Sequence, residues 1–337
     1  MKVAPEVPAR RETDPKPEKS RAAPKAIVLL GAQRFDPTLG EAMEAHGIKG
    51  KIATITAGWQ EREDDDEDLR EHCQGRATNL KLHARAEAIF TGDPVFNDGH
   101  RERQSRLRHR QDFYRIRLEH ALEAERVVKS RKAPPHILDD ETTASILDIR
   151  DLDAMHLERC VRDHKAWEDR WQPRERPAVA RQRAEIASIL DDCEAVCIAG
   201  GHVASLLNRL TLFGIADLLA GKVVLAWCAG AMALAERVVI FHDSPPQGPG
   251  AAEVLDVGLG VAKGVVVLPQ PEMRLRLDDT RRVELMARRF APATSVALPA
   301  RSWVTWDRGF ASCVHGAIEL RVDGTYGPLP EKTEAAS

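Results

Sequence analysis

A cysteine, Cys228, lies between an apolar run and a segment of small residues. Residues 222–227 predict a buried strand, and residues 229–231, Ala-Gly-Ala, predict the start of a helix. A nucleophile at such a strand-to-helix turn is held above the carboxyl edge of the sheet, where only small neighbours fit. The helix N-terminus would favour a thiolate, so Cys228 is a candidate nucleophile for acyl chemistry. The alternative is a buried cysteine that only fills space beside the sheet.

Two consecutive glycines, Gly200 and Gly201, follow another predicted strand at 195–199. Glycines allow the backbone to turn so that an N–H points at a developing oxyanion. We therefore expect the N–H groups of Gly201 and Ala229 to form an oxyanion hole beside Cys228. An ordinary strand-to-helix turn would use the same residues and remains the alternative.

The order of these motifs resembles the family of dipeptidase E and cyanophycinase. The resemblance rests on residues 199–202 (AGGH), 227–231 (WCAGA) and 258–260 (GLG), and it covers residues 26–60 loosely and 193–325 better. Members of that family are peptidases with the class I glutamine amidotransferase-like fold. The resemblance therefore implies an α/β fold with a flavodoxin-like, mostly parallel sheet flanked by helices, and a small peptide-like or isopeptide substrate.

The sequence departs from the family pattern at each position of the catalytic triad. The family nucleophile is serine, whereas Cys228 resembles the cysteine that glutamine amidotransferases of this fold use. Gln270 stands where the resemblance implies the base histidine, and glutamine cannot take a proton at neutral pH. Residues 299–301 contain no carboxylate where the acidic partner is expected.

Two functions remain open on this pattern. The first is a cysteine-nucleophile amide-bond hydrolase or amidotransferase-like enzyme with a degenerate triad. The second is a catalytically silent peptidase-fold protein that uses its charged helical insertion for contact with a partner protein. The two differ in whether another residue can replace the missing base.

Two histidines are candidate substitute bases. His202 follows the double glycine and is expected near Cys228 across neighbouring strand ends, and His242 follows a short apolar segment. A thiol needs less help than a hydroxyl, because a few per cent of a free thiol is already ionised at neutral pH. For both residues the alternative is a surface or helix-capping histidine without a catalytic role.

Apolar runs and charge-rich stretches divide the chain into five segments. Residues 1–25 and 328–337 are rich in proline and charge and predict disordered tails. Residues 26–65 predict the first part of an α/β domain, and 193–327 predict its second part with the elbow. Residues 66–192 follow a helical pattern and predict a large helical insertion.

Short apolar runs locate the elements of the α/β domain. A helix is expected to start at Asp36-Pro37, because aspartate can cap a helix and proline fits its first turn. Another helix is expected at 279–290. Strands are predicted at 26–30, 51–56, 195–199, 222–227, 264–268, 295–298, 302–306 and 317–322.

Three potential metal ligands, His156, Cys160 and His164, are spaced four apart on a predicted helix. The spacing turns them to one side of the helix. Three ligands from one straight helix cannot readily converge on one ion, so we expect no metal site there. We expect no cofactor either, since residues 258–260 lack the later glycine of a phosphate-binding loop.

The composition narrows the class of protein. Forty-nine basic and 52 acidic residues among 337 give a net charge of −3, which argues against a dedicated nucleic-acid binder. The sequence contains no apolar run long enough for a membrane span and no secretion signal. Six scattered cysteines are typical of a protein in a reducing cytoplasm. The sequence leaves open whether the protein forms a homo-oligomer.

Residues 101–132 hold eleven basic and five acidic side chains. This segment predicts a charged surface that contacts either a protein partner or solvent.

Overall fold

The structure is a computed structural model that describes residues 23–241 and 251–332. Its helices are α1 (Leu39–Ala45), α2 (Glu67–His72), α3 (Leu82–Gly92), α4 (Pro94–Lys129), α5 (Pro135–Trp171), α6 (Pro177–Asp191), α7 (Val203–Leu212), α8 (Ala229–Leu234), α9 (Pro271–Arg274) and α10 (Thr280–Phe290). Its strands are β1 (Ala26–Leu30), β2 (Lys51–Ile55), β3 (Ala77–Asn79), β4 (Cys193–Ile198), β5 (Val223–Trp227), β6 (Arg237–Ile240), β7 (Glu253–Val257), β8 (Val265–Pro269), β9 (Thr294–Leu298), β10 (Trp303–Asp307), β11 (Phe310–His315), β12 (Ile318–Leu320) and β13 (Tyr326–Pro328). Residues 1–22 and 333–337 of the predicted tails lie outside the described residues, whereas Pro328 ends β13 and Leu329 is buried, with its N–H bonded to the carbonyl of Ala317 at 3.0 Å.

The central sheet has seven strands in the order β11-β10-β1-β5-β4-β2-β3. The five strands β1 to β5 are parallel, and the hairpin β10–β11 adds an antiparallel edge next to β1. Along β1, Ile27 and Leu29 enter one hydrophobic core, whereas Val28 and Leu30 enter the core on the other face. Residues 26–30 are therefore continuously apolar because both faces of β1 are buried, as in other strands of parallel sheets. The α/β class with a mostly parallel, helix-flanked sheet is confirmed.

Helices cover both faces of this sheet. Helices α1 and α2 bury Leu39, Met43 and Leu69 in the core on one face. Helices α3, α6, α7 and α8 supply the core on the other face. A four-stranded sheet, in the order β13-β12-β9-β8, and the hairpin β6–β7 complete the strands. Three layers therefore hold the carboxyl ends of the parallel strands in a fixed arrangement.

The structure corrects the predicted start of the first helix. Helix α1 begins at Leu39, and the side chain of Gln33 caps it by accepting hydrogen bonds from the N–H groups of Thr38 and Leu39, each at 2.8 Å. Asp36 instead pairs with Arg301 at 2.6 Å. The cap comes from a residue five positions before Thr38, which local capping rules do not consider.

Two long antiparallel helices dominate the region between β3 and β4. Helix α4 has 36 residues and begins at Pro94, where Asp93 caps it by accepting the N–H of Phe96 at 3.0 Å. Helix α5 has 37 residues and begins at Pro135. The segment 66–192 also contributes β3, which pairs in parallel with β2 at the edge of the central sheet. None of the helices within the described ranges is both long and apolar enough to cross a membrane.

A buried ionic network connects the long helices to α10. Arg289 donates to both carboxylate oxygens of Asp153, at 2.7 and 2.8 Å, and its Nη2 lies 2.9 Å from the hydroxyl of Tyr114. The Tyr114 hydroxyl donates to Asp153 at 2.8 Å and accepts the N–H of Val254 at 3.1 Å. Arg289 and Asp153, the two charged side chains of this network, are thus both hydrogen-bonded, as buried charge requires.

Candidate active site

Cys228 connects β5 to α8, and its backbone conformation is unfavourable for any residue that has a Cβ atom. Its φ is 49° and its ψ is −122°, a region that glycine occupies far more readily. The following Gly230 packs against β4, since a Cβ there would lie 2.2 Å from the carbonyl oxygen of Ile198. The small residues after Cys228 are therefore required by the close contact of the turn with the neighbouring strand.

The double glycine lies directly against this turn. A Cβ on Gly200 would lie 2.8 Å from the Cβ of Cys228. Gly201 has a φ of +110°, and a Cβ on it would lie 2.4 Å from the carbonyl oxygen of Gly58. The structure thus brings the Gly200-Gly201 segment and Cys228 together, at a spacing that only glycine permits.

The N–H groups of Gly201 and Ala229 differ in exposure, because Gly201 lines a cavity at this edge of the sheet, whereas Ala229 is 5% exposed and is not among its lining residues. Neither N–H has a backbone partner among the residues that the structure describes. The N–H of Ala229 is the first of α8 and has no acceptor within the helix. These two N–H groups come from the turns after β4 and β5, the two strands that the sequence associated with an oxyanion hole.

A cavity of about 500 Å³ opens at this edge of the sheet. Residues that follow five different strand ends line it, together with residues of α2 and the turn before it. In a parallel sheet this carboxyl edge is where ligands generally bind. The residues after the strands are Ala32, Gln33, Arg34, Gly58, Trp59, Gly200, Gly201, Cys228 and Gln270, and the others are Arg62, Asp65, Asp68, Leu69 and His72, with Trp227 closing the end of β5.

The protonation state of Cys228 differs from the expectation of a thiolate. Burial raises the pKa of the half-buried thiol to about 11, and the nearby Arg274 opposes this increase only in part. Helix α8 has six residues, so its dipole is small compared with the loss of hydration. In the resting protein Cys228 is therefore a neutral thiol that needs a proton acceptor to attack a carbonyl.

We predict that iodoacetamide labels Cys228 slowly at neutral pH. An increase of the pKa from 9.0 to about 11 lowers the thiolate fraction about 100-fold. Peptide-resolved mass spectrometry should show a labelling rate that rises about tenfold per pH unit from pH 7 to 10. The exposed Cys313 serves as the internal reference. A plateau of Cys228 labelling below pH 8 would show that the thiol is activated without substrate.

His202 caps a helix and does not line the cavity. Its Nδ1 accepts the N–H of Ser205 at 3.2 Å and lies 3.0 Å from the Ser205 hydroxyl. Gln60 donates to the same hydroxyl at 2.8 Å, from a backbone with φ 58° and ψ −124°. The imidazole therefore stabilises the start of α7, the alternative that the sequence left open. His242, the other candidate base, lies outside the described residues.

Gln270 lines the cavity at the position where the resemblance implied a histidine. It follows β8 with φ 53° and ψ 56°, and its N–H donates to the carbonyl of Leu298 at 3.2 Å. Residues 299–301 contain no carboxylate, and Arg301 there pairs with Asp36 and Glu41 at the surface. The cavity thus contains the expected backbone positions without the expected acid–base side chains.

The sequence analysis did not identify His72, which lines the cavity as the last residue of α2. Asp68 lies four residues earlier on the same helix and lines the same cavity. An acidic run at residues 63–68 overlaps the start of α2, and such a run by itself predicts only a solvated helix start. The sequence feature that could have identified His72 is the position of α2 after β2, because the connection that follows a parallel strand starts at the carboxyl edge of the sheet.

The three residues considered for a metal turn toward β7. His156 Nε2 lies 3.3 Å from the carbonyl of Leu255, and His164 Nε2 lies 2.9 Å from both carboxylate oxygens of Asp256. Cys160 lies between them, 3.7 Å from His156. Within residues 23–241 and 251–332 no group of three metal-ligating side chains converges.

Comparisons with known proteins find distant matches among solved structures. No protein-family model matches the chain, and no curated protein matches it. Among solved structures, the crystal structure of a peptidase from an acI-B1 Actinobacterium is 13% identical, with a TM-score of 0.44. The similarity covers 90% of this chain and 93% of that chain. At this level of similarity, the chain's own residues remain the basis for a functional assignment.

Proposed function

We propose that the protein is a cysteine-dependent hydrolase of small peptide-like amides, built on a class I glutamine amidotransferase-like sheet. The observation that carries this proposal is the strained backbone of Cys228 in the wall of the cavity. Non-glycine residues in such conformations concentrate at functional sites, because packing must hold them there at a cost in stability. A cysteine with only a packing role would gain nothing from this conformation.

The oxyanion hole is formed by Gly201 and Ala229. The substrate carbonyl oxygen lies against their N–H groups, which have no backbone partner in the described part of the chain. As the Sγ of Cys228 bonds to the carbonyl carbon, the π electron pair moves onto this oxygen. Fixed N–H groups stabilise the negative charge without reorganisation, which is a major contribution to acyl-transfer catalysis.

His72 is the proton acceptor in this mechanism. It takes the thiol proton of Cys228, directly or through one water molecule, as the sulfur attacks. It returns the proton to the leaving amine when the C–N bond breaks, which leaves a thioester on Cys228. Water then hydrolyses the thioester with His72 as base, which releases the acid and restores the thiol. Asp68 lies one helical turn before His72 and lines the same cavity.

The cavity favours a small, polar substrate. Its volume of about 500 Å³ suits a dipeptide or a single aminoacyl amide. Trp59 contributes an apolar surface and, like Cys228, packs against the core on that face of the sheet, and the exposed Arg34 also lines the cavity. An ion pair between Arg62 and Asp65, at 2.8 Å, borders the same cavity. Both charge signs are therefore present for a substrate with free amino or carboxylate groups.

A panel of dipeptides, aminoacyl amides and isopeptides tests the proposal. We expect release of primary amine, measured with fluorescamine, for at least one class. Intact-mass measurement after rapid acid quenching should show an acylated protein that is absent from Cys228→Ala. Amine release that persists in Cys228→Ala would contradict the proposed nucleophile.

A catalytically silent binding protein is the second candidate. Gln270 at the implied base position and the raised pKa of Cys228 favour it. The long helix α4 also exposes large apolar side chains, among them Phe113 (67% exposed) and Ile116 (53%), that a partner protein or a second copy could cover. Gln270→His separates the two functions. Hydrolysis that occurs only in this variant would assign the natural chain to binding.

We predict that His72→Gln lowers kcat for the best amide about 100-fold with little change in KM, since general-base catalysis contributes roughly 10²- to 10⁴-fold. His109→Gln, an exposed histidine on α4, is the matched control and should retain full activity. Wild-type kcat in His72→Gln would remove His72 from the mechanism.

A further inference from the structure

Gln60 is another non-glycine residue with a strained backbone near the candidate active site. Its φ is 58° and its ψ is −124°, close to the 49° and −122° of Cys228. It belongs to the turn Ala57–Arg62, which follows β2 and in which Gly58 and Trp59 line the cavity of Cys228. Such a conformation persists only where surrounding contacts hold it. The proposed mechanism gives Gln60 no role, so the purpose of its strain is a separate question.

The side chain of Gln60 is anchored to the first turn of α7. Its amide donates to the hydroxyl oxygen of Ser205 at 2.8 Å. That hydroxyl lies 3.0 Å from Nδ1 of His202, and the same Nδ1 accepts the N–H of Ser205 at 3.2 Å. Because Nδ1 is an acceptor, the hydroxyl donates its proton to Nδ1 and receives the amide proton of Gln60. Gln60, Ser205 and His202 therefore form a directed chain of hydrogen bonds.

A backbone hydrogen bond closes this chain into a ring. The N–H of His202 donates to the carbonyl of Gly58, two residues before Gln60, at 2.7 Å. Gly201 packs directly against this bond, since a Cβ on it would lie 2.4 Å from the carbonyl oxygen of Gly58 and 2.5 Å from the carbonyl carbon. One backbone bond and one side-chain chain therefore fix the turn after β2 against the turn after β4, which carries the N–H of Gly201.

We propose that Gln60 is a positioning residue that holds the N–H of Gly201 in place for the oxyanion, a role that rests on the proposed hydrolase function. The strained backbone of Gln60 brings Gly58 within reach of His202. The bond from Gln60 to Ser205 opposes relaxation of that strain. An oxyanion donor is effective because it is fixed before the reaction, so its displacement destabilises the transition state more than the bound substrate.

Steady-state kinetics of full-length Gln60→Met, with the best amide of the panel, tests this proposal. Methionine keeps the length of glutamine and removes the amide donor. We expect kcat to fall about 10-fold with KM within about twofold of wild type, since outright removal of an oxyanion donor costs roughly 100- to 1,000-fold in kcat. Gln172→Met is the matched control and should retain the wild-type kcat. Gln172 also has a positive φ, of 41°, and it is exposed at the end of α5.

Variants of Ser205 show whether Gln60 acts through the hydrogen-bond chain. Ser205→Ala should lower kcat about as much as Gln60→Met, and the double variant should lose no more than either single variant, since both remove the same link. Ser205→Thr keeps the hydroxyl and should retain the wild-type kcat. If circular dichroism shows that Gln60→Met does not fold, the two Ser205 variants decide, and equal kcat in both would overturn the proposal.

Failure of this role and failure of the hydrolase function give different results. Wild-type kcat in Gln60→Met, with hydrolysis that Cys228→Ala abolishes, would remove Gln60 from the mechanism and leave the hydrolase function standing. Losses that multiply in the double variant would overturn the proposal as well, because Gln60 would then not act through Ser205. A wild-type protein without Cys228-dependent hydrolysis would overturn both the function and the role of Gln60.

Discussion

Replacing Cys228 by alanine is expected to lower amide hydrolysis by roughly 1,000-fold or more, because it removes the sulfur that forms the thioester intermediate. The substitution removes only the sulfur and keeps the Cβ that packs against Gly200. The cavity and the oxyanion hole should therefore stay intact. Steady-state amine release, with substrate binding followed separately, distinguishes loss of chemistry from loss of binding.

Cys228→Gly is the informative companion to this variant. Glycine adopts φ 49° and ψ −122° without strain, whereas alanine retains the strain of the cysteine. We expect both variants to be inactive and the glycine variant to be more stable than the alanine variant by about 1 kcal/mol, measured by urea unfolding. Equal stability would indicate that the turn stores no strain, and the main support for a functional elbow would be lost.

The strands could be predicted well from the sequence because burial on both faces produces continuous apolar runs. All eight predicted strands are present, with ends that differ by at most two residues. The strands that the sequence analysis did not identify include β3 and β11, which lie at the edges of the central sheet. Edge strands have one unpaired side and alternate in exposure, so they give no apolar run.

The backbone of the candidate site was more predictable than its side chains. Glycine pairs and small residues after a strand indicate that another part of the chain lies close to the backbone there. In the structure, Gly200 lies against Cys228 and Gly230 lies against Ile198. The pKa of Cys228 depends on burial by distant segments, which local sequence does not encode. His72 belongs to the cavity only because β2 lies beside β4 in the sheet, and this order is a property of the topology.

Arg289→Met is expected to lower the free energy of unfolding by about 3–5 kcal/mol, the usual effect of leaving one member of a buried ion pair without its partner. The side chains of Arg289 and Asp153 are 2% and 3% exposed. Removal of the guanidinium leaves the Asp153 carboxylate with the Tyr114 hydroxyl as its donor, and it also removes the donor to the carbonyl of Ala252. Equilibrium unfolding in urea, followed by circular dichroism, measures the change.

The neighbouring Arg288→Met is the matched control. Arg288 pairs with Glu284 one turn away on α10 at 3.1 Å, with both side chains partly hydrated, and such pairs contribute about 0.3–0.5 kcal/mol. The double variant Arg289→Met with Asp153→Leu removes both charges, so it should recover much of the lost stability. If the double variant is less stable than Arg289→Met alone, the loss arises from packing, and the ion pair is not what connects α10 to α5.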